Sequence, residues 1–436
     1  MPATGDNSTH KAKLRSTVVG SFINEFNFNS SDKYFLFTGM SDGWTGGDET
    51  PILKDSRDED SEVRRNIIAM KRIDSTDVFF MTTRYDWTNG TIYDMYDDTV
   101  EMDGKKYYVM NSEYNVYKCL YNNFEASSVE PKGVKTYGTM TTADGYIWKY
   151  MFTIPEPHRY YIDDDLIPVN KTSTRGTSTE TKNQWTVQQN AKSGSIDLIF
   201  VDHTDVSNNP NWDSSGPGAA VIPHKDDNYI GIHALAGATG IMLNDSHSNG
   251  APDFYKGLVI SITRGDAAGT RRVITGYDQT INTVTFDDVL STNIPKLSTY
   301  EIAPRLTVYG DGISADAYIN LYDWDAGFTN PERKQTESIS VSNSGQNYTY
   351  ATVEFSPADV VADVTNSETA SARAIMAPLA GHGSNATTEL NCKSLLIVIN
   401  ITDDEEGTLV AKNEIRQYGI IKNHILNDTD VLDKYG

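Results

Sequence analysis

Short apolar runs, most of them interrupted after a few residues by Gly, Asn or Asp, follow one another along most of the chain. Runs of this length that are rich in Val, Ile, Thr and aromatic residues are typical of β-strands joined by turns. The pattern also predicts a tight hairpin from Thr99 to Met110 around the turn Asp103–Gly104. In the outer parts of the chain it predicts strands at 78–84, 114–121, 146–154, 394–401 and 414–421.

One segment, roughly Asp58 to Arg72, has the pattern of an amphipathic helix. Its first turn is acidic and its end is basic, which matches the helix dipole. Val63, Ile67, Ile68 and Met70 supply an apolar stripe. The sequence therefore predicts one helix, near 58–72, that covers a sheet.

The middle of the chain begins after a polar, Thr- and Ser-rich stretch at 170–183, which we interpret as a linker or exposed loop. Asn- and Gly-rich loops, such as 208–218 and 233–250, then separate short β segments. These segments are 195–201, 258–263, 271–275, 283–287, 306–309, 339–341 and 351–355. Many short strands without alternating helices favour a sandwich or barrel. The predicted fold class is mainly β (α+β with few helices), in a multi-domain, β-sandwich or barrel-like architecture.

The charge balance narrows the classes of partner. Lys and Arg total 37 against 60 Asp and Glu, a net charge of −23 with His neutral, and the mean hydropathy is −0.47. These values are typical of a soluble globular protein, and they argue against a binder of nucleic-acid phosphates or of anionic membranes. The run 395–401 is too short to span a bilayer, and residues 1–16 contain no apolar signal segment. We therefore expect a protein that is made in a cytosol and docks on basic surfaces.

No motif demands catalysis. The chain has two cysteines, Cys119 and Cys392, in no CxxC pair, and it contains no GxSxG, HExxH or Walker sequence. The glycines of 310–315 predict a turn, because a strand and not a helix is expected after them. Gly381–Asn385 predicts a tight loop against a neighbour, with a phosphate cradle or a His382 ligand as the alternative. We expect no catalytic, cofactor-binding or metal-binding residues.

Acidic residues leave a second interpretation open. Carboxylates beside tryptophans could serve a sugar-active site, and such pairs are Asp86–Trp87, Trp212–Asp213 and Asp323–Trp324. Their pairing in space does not follow from the sequence. The acidic clusters Asp163–Asp165 and Asp403–Glu406 are interpreted as solvated turns.

Several segments together resemble one known family. They are Tyr34–Gly39 followed by Trp44, the strand ending in Arg84–Trp87, Tyr117–Leu120, Ala143–Pro155 and Arg416–Ile421. Their order and spacing are similar to those of the gene-eight baseplate wedge subunit of T-even-type contractile-tailed bacteriophages. The resemblance covers residues 20–170 and roughly 374–425. Its signature residues are Trp87, Tyr117, Cys119, Asp144, Gly145, Tyr146, Trp148, Arg416, Gln417 and Gly419.

The resemblance implies a structural protein of the virion, located in the tail baseplate and assembled in the host bacterial cytoplasm. It implies a homodimer that contacts other baseplate wedge proteins, with no enzymatic activity, nucleic acid, membrane insertion or small-molecule substrate. The alternative is a tail adhesin or depolymerase that acts on host-surface polysaccharide.

The same resemblance predicts the domain organisation. Residues 1–170 would form an N-terminal β-rich wedge domain, and 171–201 a linker and strand. Residues 202–373 have no counterpart in the shorter family protein, so we expect an inserted or added β domain there. Residues 374–436 would supply C-terminal strands that complete the wedge fold.

Overall fold

A computed structural model describes most of the 436-residue chain and shows a mainly β protein. Apart from isolated positions, the described residues are 32–39, 56–74, 77–170, 174–201, 234–243, 252–295, 298–303, 305–321, 336–356, 372–378, 380–398 and 416–423. The expected loop 208–218, the acidic turn 403–407 and the pairs at 212–213 and 323–324 lie outside them.

The chain divides into two compact units. Unit 1 comprises Met1–Asp94, Glu101–Gln189 and Asn385–Gly436, and unit 2 comprises Met95–Val100 and Asn190–Ser384. The described residues of the expected inserted domain, 202–373, all belong to unit 2.

The three sheets of unit 1 have the orders β2–β1–β21, β20–β3–β8 and β4–β5–β7–β6. Every strand pair in them is antiparallel. Their strands are β1 (Tyr34–Gly39), β2 (Ile67–Ile73), β3 (Val78–Thr83), β4 (Tyr108–Met110), β5 (Asn115–Tyr121), β6 (Met140–Thr141), β7 (Ile147–Thr153), β8 (Leu166–Val169), β20 (Ser394–Ile397) and β21 (Gln417–Lys422).

Unit 2 contains a five-stranded sheet of order β10–β13–β12–β11–β14 and three two-stranded sheets, β15–β18, β16–β17 and β19–β9. Its strands are β9 (Ile196–Val201), β10 (Gly240–Met242), β11 (Val259–Arg264), β12 (Arg271–Asp278), β13 (Thr283–Phe286), β14 (Thr299–Ala303), β15 (Arg305–Gly310), β16 (Ile313–Leu321), β17 (Thr336–Gln346), β18 (Ala351–Ser356) and β19 (Ala372–Met376). The mainly β, multi-sheet fold expected from the sequence is thus confirmed.

Helices are few and short in the described part of the chain. They are α1 (Arg57–Arg65), α2 (Thr179–Gln189), α3 (Ala386–Glu389) and a 3-10 helix at Glu156–Tyr161. None of the described helices has both the length and the apolar composition needed to cross a membrane.

The predicted helix at 58–72 is correct only in its first half. Ser56 caps α1 through its side chain, and the helix ends at Arg65, with Asn66 as the C-cap. Ile67 begins β2, which pairs with β1 from Gly39 to Tyr34. Val63 does lie in α1, but Ile67, Ile68 and Met70 lie in a strand. Pairing with β1 satisfies their backbone groups in a way that local periodicity does not reveal.

Other local predictions also needed correction. Thr99–Met102 is not a strand, although Lys105 N donates to Met102 O across the predicted turn. The hairpin partner of β4 is instead β5, with Val109 opposite Tyr117. Part of the predicted loop 233–250 forms β10, which pairs with β13, and the polar stretch 170–183 runs into α2.

Each unit has its own apolar core. In unit 1, Val116, Phe152, Ile154 and Ile167 are fully buried in one cluster. The largest cluster of unit 2 lies on the five-stranded sheet, and a second one lies among β9 and the strands β15–β19. Burial of these side chains supplies the main favourable term for folding each unit.

The predicted tight loop at Gly381–Asn385 is confirmed. Gly381 has φ +91°, and a Cβ atom there would lie 2.5 Å from the backbone nitrogen of Lys192. His382 is buried and its ring meets the Tyr96 ring edge-on, at a centroid distance of 4.9 Å. The loop thus places backbone against backbone, where only glycine fits.

We predict that Gly381→Ala destabilises unit 2 more than Gly269→Ala does. Gly269 has a similar φ of +89° but open space around the Cβ position, so it is the matched control. The positive φ costs roughly 1–2 kcal/mol at either position, and overpacking adds about 1–3 kcal/mol at Gly381 alone. Chemical denaturation of the two variants measures the difference; equal losses would contradict the close approach.

Candidate functional site

Six of the ten signature residues lie in one region of unit 1. The chain of contacts begins at Trp87, whose Nε1 donates to Ser127 Oγ at 3.1 Å. Ser127 Oγ donates to Asp144 Oδ2 at 3.0 Å, and Asp144 precedes the buried Tyr146. We call this region the Asp144 cluster, and its signature members are Trp87, Cys119, Asp144, Gly145, Tyr146 and Trp148.

Asp144 organises the loop through its carboxylate. Its Oδ2 also accepts from the backbone nitrogens of Ser128 (2.9 Å) and Val129 (3.0 Å). Its Oδ1 accepts from the hydroxyl of Thr142. One side chain therefore holds the 127–129 segment to the turn before β7, by charge-assisted hydrogen bonds.

Gly145 completes this turn. Its nitrogen donates to Thr142 O at 2.9 Å, and its φ is +82°. A Cβ atom at this position would lie 2.6 Å from Asn123 Nδ2. The Asp-Gly pair of the signature thus reflects a tight turn and a close side-chain contact.

Aromatic residues alternate along the chain from Tyr146, just before β7, into the strand itself. Tyr146, Trp148 and Tyr150 are all buried, and the rings of Tyr146 and Trp148 stack with centroids 5.3 Å apart. Tyr93 meets Trp148 edge-on at 5.9 Å. Met151, on the alternate face, is buried as well. The strand is therefore covered on both faces, which is more burial than the alternation alone predicts.

Cys119 lies opposite Trp148 in the β5–β7 ladder. Burial raises the pKa of the Cys119 thiol well above its usual value, and burial likewise raises the pKa of Cys392. Both thiols therefore stay protonated at neutral pH and pack as small apolar groups.

The remaining signature residues lie elsewhere in unit 1. The Tyr117 hydroxyl donates to Gly133 O at 2.7 Å. Arg416 precedes β21, and Gln417 and Gly419 lie within it. A Cβ atom on Gly419 would lie 2.6 Å from Phe37 Cζ, so this glycine makes room for a buried ring.

Sequence reasoning missed a buried ion pair. Lys118 Nζ lies 3.1 Å from Glu389 Oε2, and the two side chains are 0% and 3% exposed. Glu389 Oε1 also accepts from Asn385 N at 3.2 Å, and the Tyr107 hydroxyl donates to Glu389 O at 2.7 Å. The partners are 271 residues apart, so no local signal pointed to them.

Of the three carboxylate–tryptophan pairs, the structure describes only Asp86–Trp87. Asp86 pairs with Arg84 at 2.8 Å, and its neighbour Trp87 belongs to the Asp144 cluster. Asp163 Oδ1 accepts from the backbone nitrogens of Asp165 (2.8 Å) and Leu166 (2.6 Å), which confirms the predicted exposed turn. Among the described residues, no group of three or more His, Cys, Asp or Glu side chains is arranged to hold a metal ion.

The arrangement of the Asp144 cluster is that of a structural core. Its polar atoms bind backbone and hydroxyl groups of the same unit, and its rings pack on one another. Comparison with protein-family models and with curated proteins found no match to the chain.

We predict that the contribution of Asp144 to stability depends on pH. Burial alone would raise the pKa of Asp144, but the hydrogen bonds from Thr142, Val129, Ser128 and Ser127 outweigh it and lower the pKa. A lowered folded-state pKa stabilises the fold above the unfolded value, near 3.9, and this stabilisation is lost as the pH falls through the folded pKa.

The free energy of unfolding of Asp144→Asn should therefore lie below that of the wild type at pH 7, and the gap should narrow below about pH 4. Asp164→Asn, at an exposed position of the same unit, is the control. Urea titrations at several pH values measure both gaps. A gap for Asp144→Asn that stays constant down to pH 2 would contradict the assigned role.

We further predict strong coupling between Lys118 and Glu389. Lys118→Met leaves a buried carboxylate uncompensated and should cost about 3–5 kcal/mol. The double variant Lys118→Met/Glu389→Gln should be more stable than Lys118→Met, because the glutamine is neutral and can still accept from Asn385 N. A double-mutant cycle by chemical denaturation tests this; simple additivity would contradict it.

Proposed function

We propose that this protein is a structural component of a contractile-tail phage baseplate wedge. It would mediate subunit assembly and transmit the conformational change of the baseplate during infection. The proposal rests on the resemblance of its ordered segments to the gene-eight family, and the protein would act as a homodimer that contacts other wedge proteins.

The observation that carries the proposal is the convergence of signature residues in the Asp144 cluster. Residues from 87 to 148 in the sequence meet there through the Trp87–Ser127–Asp144 hydrogen bonds and the Tyr146–Trp148 stack. Such residues would be shared within a family because they build one rigid scaffold. A rigid scaffold would suit a subunit whose role is to hold its neighbours in fixed positions.

Surface features of unit 1 support an assembly role. In the described part of its sheet, β21 is an edge strand, and its Tyr418 is 81% exposed beside the exposed Ile420. Exposed aromatic and aliphatic side chains are favourable at protein–protein interfaces. The net charge of −23 favours partners with basic patches.

The proposal is tested by antibody labelling of purified particles of the source virus, viewed by electron microscopy. A symmetric ring of label at the baseplate end of the tail is the expected result. Label at fibre tips would favour the adhesin alternative, and absence of the protein from the particle would overturn the structural role.

We predict that Trp148→Ala costs about 3–5 kcal/mol of stability and yields particles without complete baseplates. Trp148→Phe should cost less, since it keeps most of the packing and removes an indole N–H that has no acceptor within the described residues. Tyr160→Ala, at an 89% exposed ring, is the control. Normal infectious particles from Trp148→Ala would refute the core role.

A further inference from the structure

A polar cleft in unit 2 is the strongest further candidate for a binding site. It has a volume of about 370 Å³ and is lined by residues of β11, β12, β14, β15 and β16 and of the loop after β13. This volume falls within the range of small-molecule sites. Its charged lining residues are Arg271, Arg272, Arg305, Asp287, Asp288 and Asp316, and we call it the arginine cleft.

Two of the three arginines have unused hydrogen-bonding capacity. Arg271 lies over the face of the Tyr318 ring, and within the described residues neither it nor Arg305 forms an ion pair. Arg272 differs, because its guanidinium donates to Val289 O and Arg271 O. A guanidinium stacked on a ring keeps its N–H groups free at its edge, where they can hold an oxyanion.

The carboxylates of the cleft are partly engaged. Asp287 Oδ1 accepts from Val273 N at 3.1 Å, and Asp288 Oδ1 accepts from Val289 N at 2.8 Å. Asp316 accepts from the hydroxyl of Ser342. The second oxygens of Asp287 and Asp288 remain as acceptors, so the cleft offers both guanidinium donors and carboxylate acceptors.

We propose that the arginine cleft binds an acidic saccharide, with Arg271 and Arg305 on its carboxylate or phosphate and the aspartates on its hydroxyl groups. A sugar ring supplies many O–H donors for these acceptors. An acidic peptide supplies fewer hydroxyl donors, and it brings several carboxylates instead of one anionic group close to the three aspartates, which would repel them. This inference goes beyond the proposed structural role and does not depend on it.

The test is titration calorimetry of the full chain with glucuronate, glucose 6-phosphate and glucose, alongside a Glu-rich peptide. We expect saturable binding of at least one of the two acidic sugars, and roughly tenfold weaker binding of glucose, since hydrogen bonds to charged groups are the stronger ones. Comparing glucuronate with glucose 6-phosphate distinguishes a carboxylate from a phosphate ligand.

Arg305→Gln should weaken binding of the acidic sugar about tenfold, and it removes no side-chain hydrogen bond or ion pair within the described residues. Arg271→Gln should do the same, with loss of the Tyr318 stack. Arg264→Gln is the matched control, because this exposed arginine on β11 does not line the cleft. Failure of both acidic sugars to bind, equal binding of glucose or the peptide, or unchanged binding in Arg305→Gln would overturn the proposal.

Discussion

The buried contact of Lys118 with Glu389 is the constraint on which unit 1 depends. The chain leaves this unit after Gln189 and re-enters it at Asn385. On re-entry, α3 places Glu389 beside Lys118, while Thr82 Oγ1 donates to Leu390 O at 2.7 Å. A buried charge without its partner is costly. A fold in which α3 places Glu389 beside Lys118 is therefore strongly favoured over one in which the two charges do not meet.

The Asp144 cluster applies the same principle at the end of the β5–β7 pair where Tyr121 lies opposite Ile147. A carboxylate that accepts from two backbone nitrogens and two hydroxyls fixes the 127–129 segment without a regular element. Aromatic stacking then fills the space under the turn. The hydrogen bonds of the Asp144 carboxylate and the packing of the aromatic rings together hold this part of unit 1 in one arrangement.

Unit 2 uses its polar groups differently. In the arginine cleft, backbone contacts engage Arg272, Asp287 and Asp288, while the donors of Arg271 and Arg305 remain available. In unit 1, the charges of Lys118, Glu389 and Asp144 are therefore engaged by groups of the same unit. In unit 2, two guanidinium groups line a cleft instead. On this contrast we base the two proposals, a scaffold role for unit 1 and ligand binding for unit 2.

Local sequence signals determined many of the strands and the glycine loop at Gly381, because backbone preferences and alternation act over a few residues. They also placed the start of α1 near Asp58, one residue after its observed start at Arg57. Only the tertiary structure decided that Ile67–Ile73 pairs as a strand with β1, and that Lys118 meets Glu389. Those outcomes depend on partners distant in sequence, whose pairing satisfies backbone groups and charges that no local window contains.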